Sequence, residues 1–422
     1  MVQRNGIVVI GAGLTGMSVA MMLARRGLPV LVVERDRREA FGRREGYPAL
    51  RAGAAHARRP HQLMAGARDV LRRSLPDVAK RVYELGARDV IEYPGASQAA
   101  FMSLRRALLE RAMLECADGL PTLTLRFGER VLGLSCADGT VQGVRTAGGV
   151  LPARLVVDAT GIRTRLGTPY LGMRSYLYYT SRPVRLTAEG FAATRGAVSL
   201  RAEPELEEGG HVRLFLHDPP FASILVALRG EGQPPEQRVV EETYRAVLSS
   251  RRLGTPLRGV EPLAPIQDFG YLRSRIRLSP TSQVHGLHQV GDALAALNPL
   301  TSRGAGLGLI QAELLAEAVA RDVDDFAAQQ EVMASAYHEW VAPHWAMGVV
   351  QAFLRPGAEP PAEAADLVAT ARRRWRRIRE LRQAWHGDQG ALLKDHRKTV
   401  LEVLALQAPP AVLDSLPERT NP

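Results

Sequence analysis

The opening residues switch from a solid apolar run to a helical period and back. Ile7 to Ile10 is unbroken and mostly β-branched, the pattern of a parallel strand buried on both faces. Leu14 to Arg26 then reads as a helix, which Gly27 and Pro29 stop, and Leu31 to Val33 is a second strand closed by Glu34. Pro60 suits the first turn of a helix over His61 to Ser74, with Leu63, Val70 and Leu71 on one side. Leu104 to Ala117 predicts another helix, and Thr122 to Leu134 alternates as a strand. Asp138-Gly139 and Gly148-Gly149 are turn signals for a small antiparallel meander. Leu155 to Val157 is a buried strand running into Asp158-Ala159-Thr160-Gly161.

Between Ser175 and Ala264 the alternation returns in Val184 to Leu186, Val212 to Leu216 and Ser223 to Leu228, which predicts an antiparallel sheet. Gln289-Val290 is a last core strand before Gly291-Asp292, and a helix runs from about Gly306 to Arg321. The remainder reads helical, interrupted between Pro356 and Pro361. There Leu367, Ala371, Trp375, Ile378, Leu381 and Trp385 recur at three- and four-residue steps, so one stripe packs and the arginines lie outside.

The first turn carries chemistry. Gly11-Ala12-Gly13-Leu14-Thr15-Gly16 is a complete G-x-G-x-x-G between a strand and a helix. Gly11 makes the turn, Gly13 admits a pyrophosphate to the backbone, and Gly16 lets helix and strand pack closely. Glu34, at the end of the next strand, can accept both ribose hydroxyls of an adenosine. A second constellation, Gly291-Asp292-Ala293 followed by Asn298-Pro299 and Gly304, sets a carboxylate at a strand end ahead of a helix start. That arrangement suits the ribityl chain and the N1–C2=O edge of a flavin. The segment from Asp36 to Leu63 is a Gly- and Arg-rich stretch without steady period, a long loop of the functional kind.

Composition narrows the classes. The chain has 422 residues, 46% of them hydrophobic and 23% charged, which predicts a soluble protein of more than one domain. No apolar run reaches the roughly 18 residues of a membrane span, and the expected location is the cytoplasm. Cys116 and Cys136 form neither a C-x-x-C nor a disulfide framework, and no metal site is expected. The net charge of +11 is almost all arginine, since Lys80, Lys394 and Lys398 are the only lysines. Such a surface attracts anionic partners, but no nucleic-acid motif accompanies it, so nucleic acid is not an expected partner.

GAGLTG with Glu34, GAAHARRPHQL, LRRALLERA with the strand to LVVDATG, and GDALAALNP stand in order over residues 1 to about 320. In this the chain resembles the para-hydroxybenzoate hydroxylase-type FAD-dependent monooxygenases, and within them the polyether epoxidase and natural-product tailoring branch. The resemblance implies an α/β fold. A Rossmann-like FAD-binding domain, a parallel sheet plus β-meander, would comprise residues 1–74, 101–174 and 265–321. An inserted antiparallel-sheet substrate domain would comprise 75–100 and 175–264, and a C-terminal helical region 322–422.

It puts Gly11, Ala12, Gly13, Leu14, Thr15, Gly16, Glu34 and Arg35 on the ADP half of FAD. Arg58 and Arg106 match arginines near the cofactor, Val131 the position whose backbone meets the adenine, and Thr160-Gly161 the stretch after the LVV strand. Asp292 would hold the ribityl chain; Pro299 and Gly304 would face the ring, with Arg303 and His61 as further flavin-facing candidates. Arg58 also reads as a solvated loop arginine, and His61 as a half-buried structural histidine. Two departures stand out: Thr160 where hydroxylases carry Asp, and Ser302 where the pattern carries Gly. A serine there predicts a remodelled loop beside the ring.

The implied activity is epoxidation or hydroxylation of a hydrophobic natural-product intermediate through a C4a-hydroperoxyflavin. NAD(P)H would supply electrons directly or through a separate flavin reductase, and an acidic carrier protein is a candidate for presenting the substrate. Rival readings are a flavoprotein that uses FAD as scaffold for a non-redox cyclisation and an isoprenoid-type flavin reductase. A halogenase fits least, because its Trp-x-Trp-x-Ile-Pro motif is absent.

Overall fold

The apolar runs assemble as one parallel sheet. The computed structural model describes residues 6–41, 61–90, 101–193, 199–201, 210–230, 232–249, 257–354, 357–384 and 394–416. Its parallel strands stand in the order Leu287–Gln289, Leu155–Asp158, Ile7–Ile10, Val30–Glu34, Leu123–Phe127. Ile7, Val9, Val30 and Val32 face one core, and Val8, Ile10, Leu31 and Val33 the other. Burial of both faces is why the sequence shows runs and no alternation. The second face is covered by the predicted meander, Gly133–Ala137, Thr140–Thr146 and Gly149–Pro152, through Val141 and Val144.

Helices α1 (Leu14–Ala24), α2 (Ala65–Ser74), α3 (Pro76–Glu84) and α4 (Arg106–Ala117) pack into the first core, together with the later helix Gly304–Arg321. Two expectations are corrected there. Residues 62–64 are not helix; Gln62–Met64 pairs antiparallel with Phe101–Ser103, which also pairs Arg88–Val90. Cross-strand pairing with a distant segment overrides the local helical period. The stretch from residue 75 was expected to open the inserted domain. Instead Val78, Ala79 and Val82 of α3 share a core with Ile7 and Leu109.

The antiparallel sheet is ordered Ser199–Arg201, Gly210–Leu216, Phe221–Arg229, Tyr170–Arg185, Gln267–Arg277, Ala295–Ala296. It reaches past residue 264, and its last strand meets the turns Gly161–Arg163 and Gly291–Ala293 that follow two of the parallel strands. The helix Gln237–Ser249 covers one face through Val240, Tyr244 and Val247. Further helices follow, among them α5 (Gly304–Arg321), α6 (Ala342–Ala352) and α7 (Ala365–Ala384). The second face of the antiparallel sheet packs on α6 and α7, with Leu177 and Tyr179 in one core with Trp345 and Ile378. On α7, Ala371, Ile378 and Leu381 of the predicted stripe are buried and Leu367 and Trp375 half-buried, with Val368 buried beside them, while Arg373, Arg376 and Arg379 are exposed; Trp385 lies outside the described residues. Among the described residues no helix is long and apolar enough to cross a membrane.

Candidate cofactor cleft

A cleft of about 790 Å³ follows the carboxyl ends of the parallel strands. Strand order sets the order of its wall: Glu129 to Gly133, then Glu34 and Arg35, then Gly11 and Gly13 to Thr15, then Ala159 to Leu166, then Val290 and Asp292. Gly11 takes φ +103°, and a Cβ there would stand 2.7 Å from the Ala159 carbonyl oxygen. A Cβ on Gly16 would meet the Gly11 oxygen at 2.0 Å, so α1 can start against its strand only with glycine there. At Gly13 a Cβ would meet only Arg106 Nη2, at 3.7 Å. The first turn of α1 therefore shows bare main chain to the cleft, where its N–H groups and dipole favour an anion. Glu34 is buried and accepts the Ala12 N–H on Oε2 at 2.7 Å and the Asp36 N–H on Oε1 at 2.8 Å. Each oxygen keeps a lone pair for a further donor.

The far end is closed by the antiparallel sheet and the loop into α5. Phe269, Tyr271, Leu272 and Arg273 come from the sheet; Leu297, Asn298, Pro299 and Ser302 from the loop. Tyr271 meets Tyr178 edge to face with centroids 5.3 Å apart, and the Arg174 guanidinium lies 4.9 Å over the Tyr271 ring. Ser302 itself adopts the left-handed conformation, φ +53°, and its N–H reaches the Pro299 oxygen at 3.1 Å. The departure from glycine therefore leaves a strained residue in the turn. At Gly304 a Cβ would find only Asp292 Oδ1, at 4.0 Å, and at Gly161 nothing within 4 Å. Bare backbone thus faces the cleft from three sides.

Two buried networks hold these walls. Asp158, fully buried, accepts the Thr160 N–H at 3.1 Å, both threonine hydroxyls of Thr160 and Thr164 at 2.6 Å, and Gln289 Nε2 at 3.1 Å. Thr160 is therefore tied back to the strand it follows. Arg277, 2% exposed, donates Nε to the Ala293 oxygen at 2.8 Å and its two terminal nitrogens to the carbonyls of Thr168 and Leu166. One guanidinium so joins the antiparallel sheet to the loops on either side of the cleft.

Of the residues predicted from sequence, Gly11, Gly13, Leu14, Thr15, Glu34, Arg35, His61, Arg106, Val131, Thr160, Gly161, Asp292, Pro299 and Gly304 line the cleft. Ala12 and Gly16 sit just behind its wall, and Arg58 lies outside the described residues. Arg303 is the correction. It is 4% exposed and off the wall, and its charge acts instead on His344 of α6. It stands at the N-cap of α5, buried beside the half-buried, cleft-lining Ser302. Burial, then Arg303 and Arg374, hold His344 well below the ordinary imidazole range. Burial also pushes His217 and His288 down to about 4, so all three stay neutral.

Asn298, singled out with Pro299 in the second constellation, also lines the cleft, whereas sequence reasoning missed Gln62, Arg163, Arg165 and the Phe269–Arg273 strand. Gln62 is 5% exposed, and its Nε2 has no hydrogen-bond partner among the described residues. Among the described lining residues the carboxylates are Glu34, Glu129 and Asp292, so the aromatic end holds none of its own. Among the described residues no group of acidic, histidine or cysteine side chains could hold a metal.

Bare helix starts at both ends of one cleft, with Glu34 and Asp292 between them and the outer walls, fit a flavin dinucleotide. A family model described as FAD dependent oxidoreductase matches residues 6–46. The ubiquinone hydroxylase UbiL of Rhodospirillum rubrum is 28% identical over 326 residues, 74% of this chain and 71% of that protein. The chain is an FAD-dependent oxidoreductase.

The oxidoreductase is also 33% identical to a kynurenine 3-monooxygenase of Salinispora tropica, over 38% of its own length and 36% of that enzyme. In fold it matches PqsL, a probable FAD-dependent monooxygenase from Pseudomonas aeruginosa, with a TM-score of 0.62 at 18% identity over 87% of this chain and 99% of that one. The p-nitrophenol 4-monooxygenase PnpA of Pseudomonas putida gives a TM-score of 0.64 at 17% identity over 96% and 98%.

Proposed function

We propose that this flavoprotein is a monooxygenase that transfers one oxygen atom from dioxygen to a hydrophobic natural-product intermediate, as an epoxidase or a hydroxylase. The observation that carries this reading is the continuity of the cleft: a dinucleotide cradle opens directly into a chamber walled by Phe269, Tyr271, Leu272, Leu297 and Pro299. The first turn of α1 would hold the pyrophosphate, with Arg106 alongside, and Glu34 the ribose hydroxyls. The backbone at Val131 would meet the adenine, Asp292 would accept from the ribityl chain, and the start of α5 would lie at the ring edge. Bound FAD supplies the oxygen activation, with electrons from NAD(P)H directly or through a separate flavin reductase.

The chain's own residues then have three tasks. Leu272, Leu297 and Pro299 exclude water from the space beyond the ring. Phe269 and Tyr271 offer flat faces against which an alkene or arene can be oriented. The N-terminal dipole of α5 stabilises negative charge at the ring edge. Oxygen transfer of this kind needs no acid–base pair from the protein, consistent with an aromatic end that has no carboxylate of its own. A scaffold role in a non-redox cyclisation drew on Ser302; with φ +53° that residue keeps the turn a glycine would make, and oxygen transfer is the better reading. Exposed Arg373, Arg376 and Arg379 on α7 suit an acidic carrier protein as the source of substrate, in the cytoplasm.

The test is anaerobic stopped-flow absorbance of the purified holoprotein. NADPH or NADH is added first, with dithionite as the alternative reductant, and then oxygen. We expect reoxidation in at least two resolved phases, and incorporation of ¹⁸O from ¹⁸O₂ into a hydrophobic acceptor. Single-phase reoxidation after either reductant, with no label transferred, overturns the monooxygenase reading.

A further inference from the structure

The C-terminal segment crosses from one core to the other. Helix α8 (Lys394–Leu404) places Val400 and Val403 in the core beneath the antiparallel sheet. Two residues beyond its end, Leu406 is buried in the parallel-sheet core, 2% exposed. Leu406 also holds φ +61°, a left-handed conformation that crowds an L-residue's Cβ.

Its seat is built for it. Gly66, in the first turn of α2, donates its N–H to the Ala405 oxygen at 2.9 Å, and a Cβ there would lie 1.9 Å from the Leu406 oxygen. Gly306, in the first turn of α5, would place a Cβ 2.4 Å from Leu406 Cδ1 and 3.1 Å from Ala67 Cβ. Gln407 Nε2 adds a bond to Asp69 Oδ2 at 3.0 Å. Two glycines therefore leave room for one leucine between two helix starts. Residues that lead into those starts, His61 and Gln62 on one side and Pro299 and Ser302 on the other, are cleft wall, as is Gly304, the first residue of α5.

We propose that Leu406 is a positioning residue for the cofactor. Wedged between the first turns of α2 and α5, it sets the spacing of the two wall segments at the ring end. Docking of residues 405–407 and binding of FAD are then one linked equilibrium: each strengthens the other by the same factor. The linkage rests on the FAD cradle and not on oxygen transfer, so a protein that binds FAD and oxygenates nothing would leave it standing.

Hydrogen exchange on the wild-type chain, with and without FAD, tests it directly. FAD is expected to slow exchange of the Gly66 amide, whose acceptor is the Ala405 oxygen, and of amides 405–407. Identical rates in both states overturn the proposal. Leu406→Gly keeps the left-handed turn and removes the wedge; its FAD dissociation constant should rise about tenfold with the far-ultraviolet circular dichroism retained. Leu406→Met should restore the constant to within about twofold. An unchanged constant in a folded Leu406→Gly protein overturns the proposal, and if that variant does not fold, the wild-type exchange comparison decides alone.

Discussion

Along the dinucleotide part of the cleft the wall is largely main chain; in the chamber beyond the start of α5 it is largely side chain. Around Gly11, Gly13 and Gly161 the ligand would meet N–H groups and carbonyls, and Glu34 is itself fixed by two backbone N–H donors. Around Phe269, Tyr271 and Leu297 it would meet rings and methyl groups carried on a sheet and the loop that follows it. A backbone site can be matched by few sequences, because only particular residues leave the main chain uncovered. A side-chain site can be matched by many, because any apolar residue of suitable size closes the same space. The first end should therefore be intolerant and general, the second tolerant and specific.

The comparison breaks most easily at the cofactor end. Glu34→Arg should abolish FAD retention, and Asp292→Ala should weaken it by about 1–3 kcal/mol, roughly 10- to 100-fold; flavin absorbance per protein after gel filtration measures both. Full occupancy in both variants would mean that the cleft does not hold FAD as assigned. Next in size, Arg277→Met takes the donor from the Thr168 and Ala293 carbonyls, while the Leu166 oxygen keeps Gln289 Nε2 at 2.9 Å, and should cost about 3 kcal/mol of folding stability, read from urea midpoints. A midpoint shift under a third of that would show that the two sheets are joined by other means.

At the tolerant end, Phe269→Ala and Tyr271→Leu should change FAD affinity by no more than about threefold while altering which acceptors take label from ¹⁸O₂. Equal loss of flavin at both ends would erase the distinction. The buried histidines sharpen it across pH. His217 and His288 stay neutral down to about 4, whereas an unfolded imidazole titrates near 6.5. Below 6.5 the unfolded chain binds more protons, so stability is full above that value and is lost as the pH falls toward 4, by up to about 1.4 kcal/mol per pH unit for each histidine. His288→Gln should flatten part of that fall in urea midpoints. The smallest effect is Ser302→Gly, which relieves a left-handed serine and should stabilise by about 0.5–1 kcal/mol. A loss of stability there would mean that the serine hydroxyl has a partner it needs.

The same contrast explains what the amino-acid sequence revealed. Gly11, Gly13, Gly16 and Glu34 could be read as a cradle because the backbone's demands there appear as residue identities. The strand Gln62–Met64 could not, because its partner Phe101–Ser103 is distant in sequence and the local spacing favours helix. Nothing in α3 says which core its Val78 and Val82 will join; that depends on α2 and α4. Phe269 to Arg273 carries no motif and lies past the predicted end of the sheet, and only its place along the cleft wall gives it a role. Arg303 stands beside the right motif but its side chain is buried, where its charge acts on His344 of a helix distant in sequence.

Arg277 has one more implication. Its partners are carbonyl oxygens of Leu166, Thr168 and Ala293, and every residue type carries that group. The joint between the two sheets is thus indifferent to what the neighbouring side chains become. Over generations the residues that greet the substrate can be rewritten one at a time while the hinge of the building keeps its shape. A lineage using this frame is free to change its diet long before it must change its skeleton.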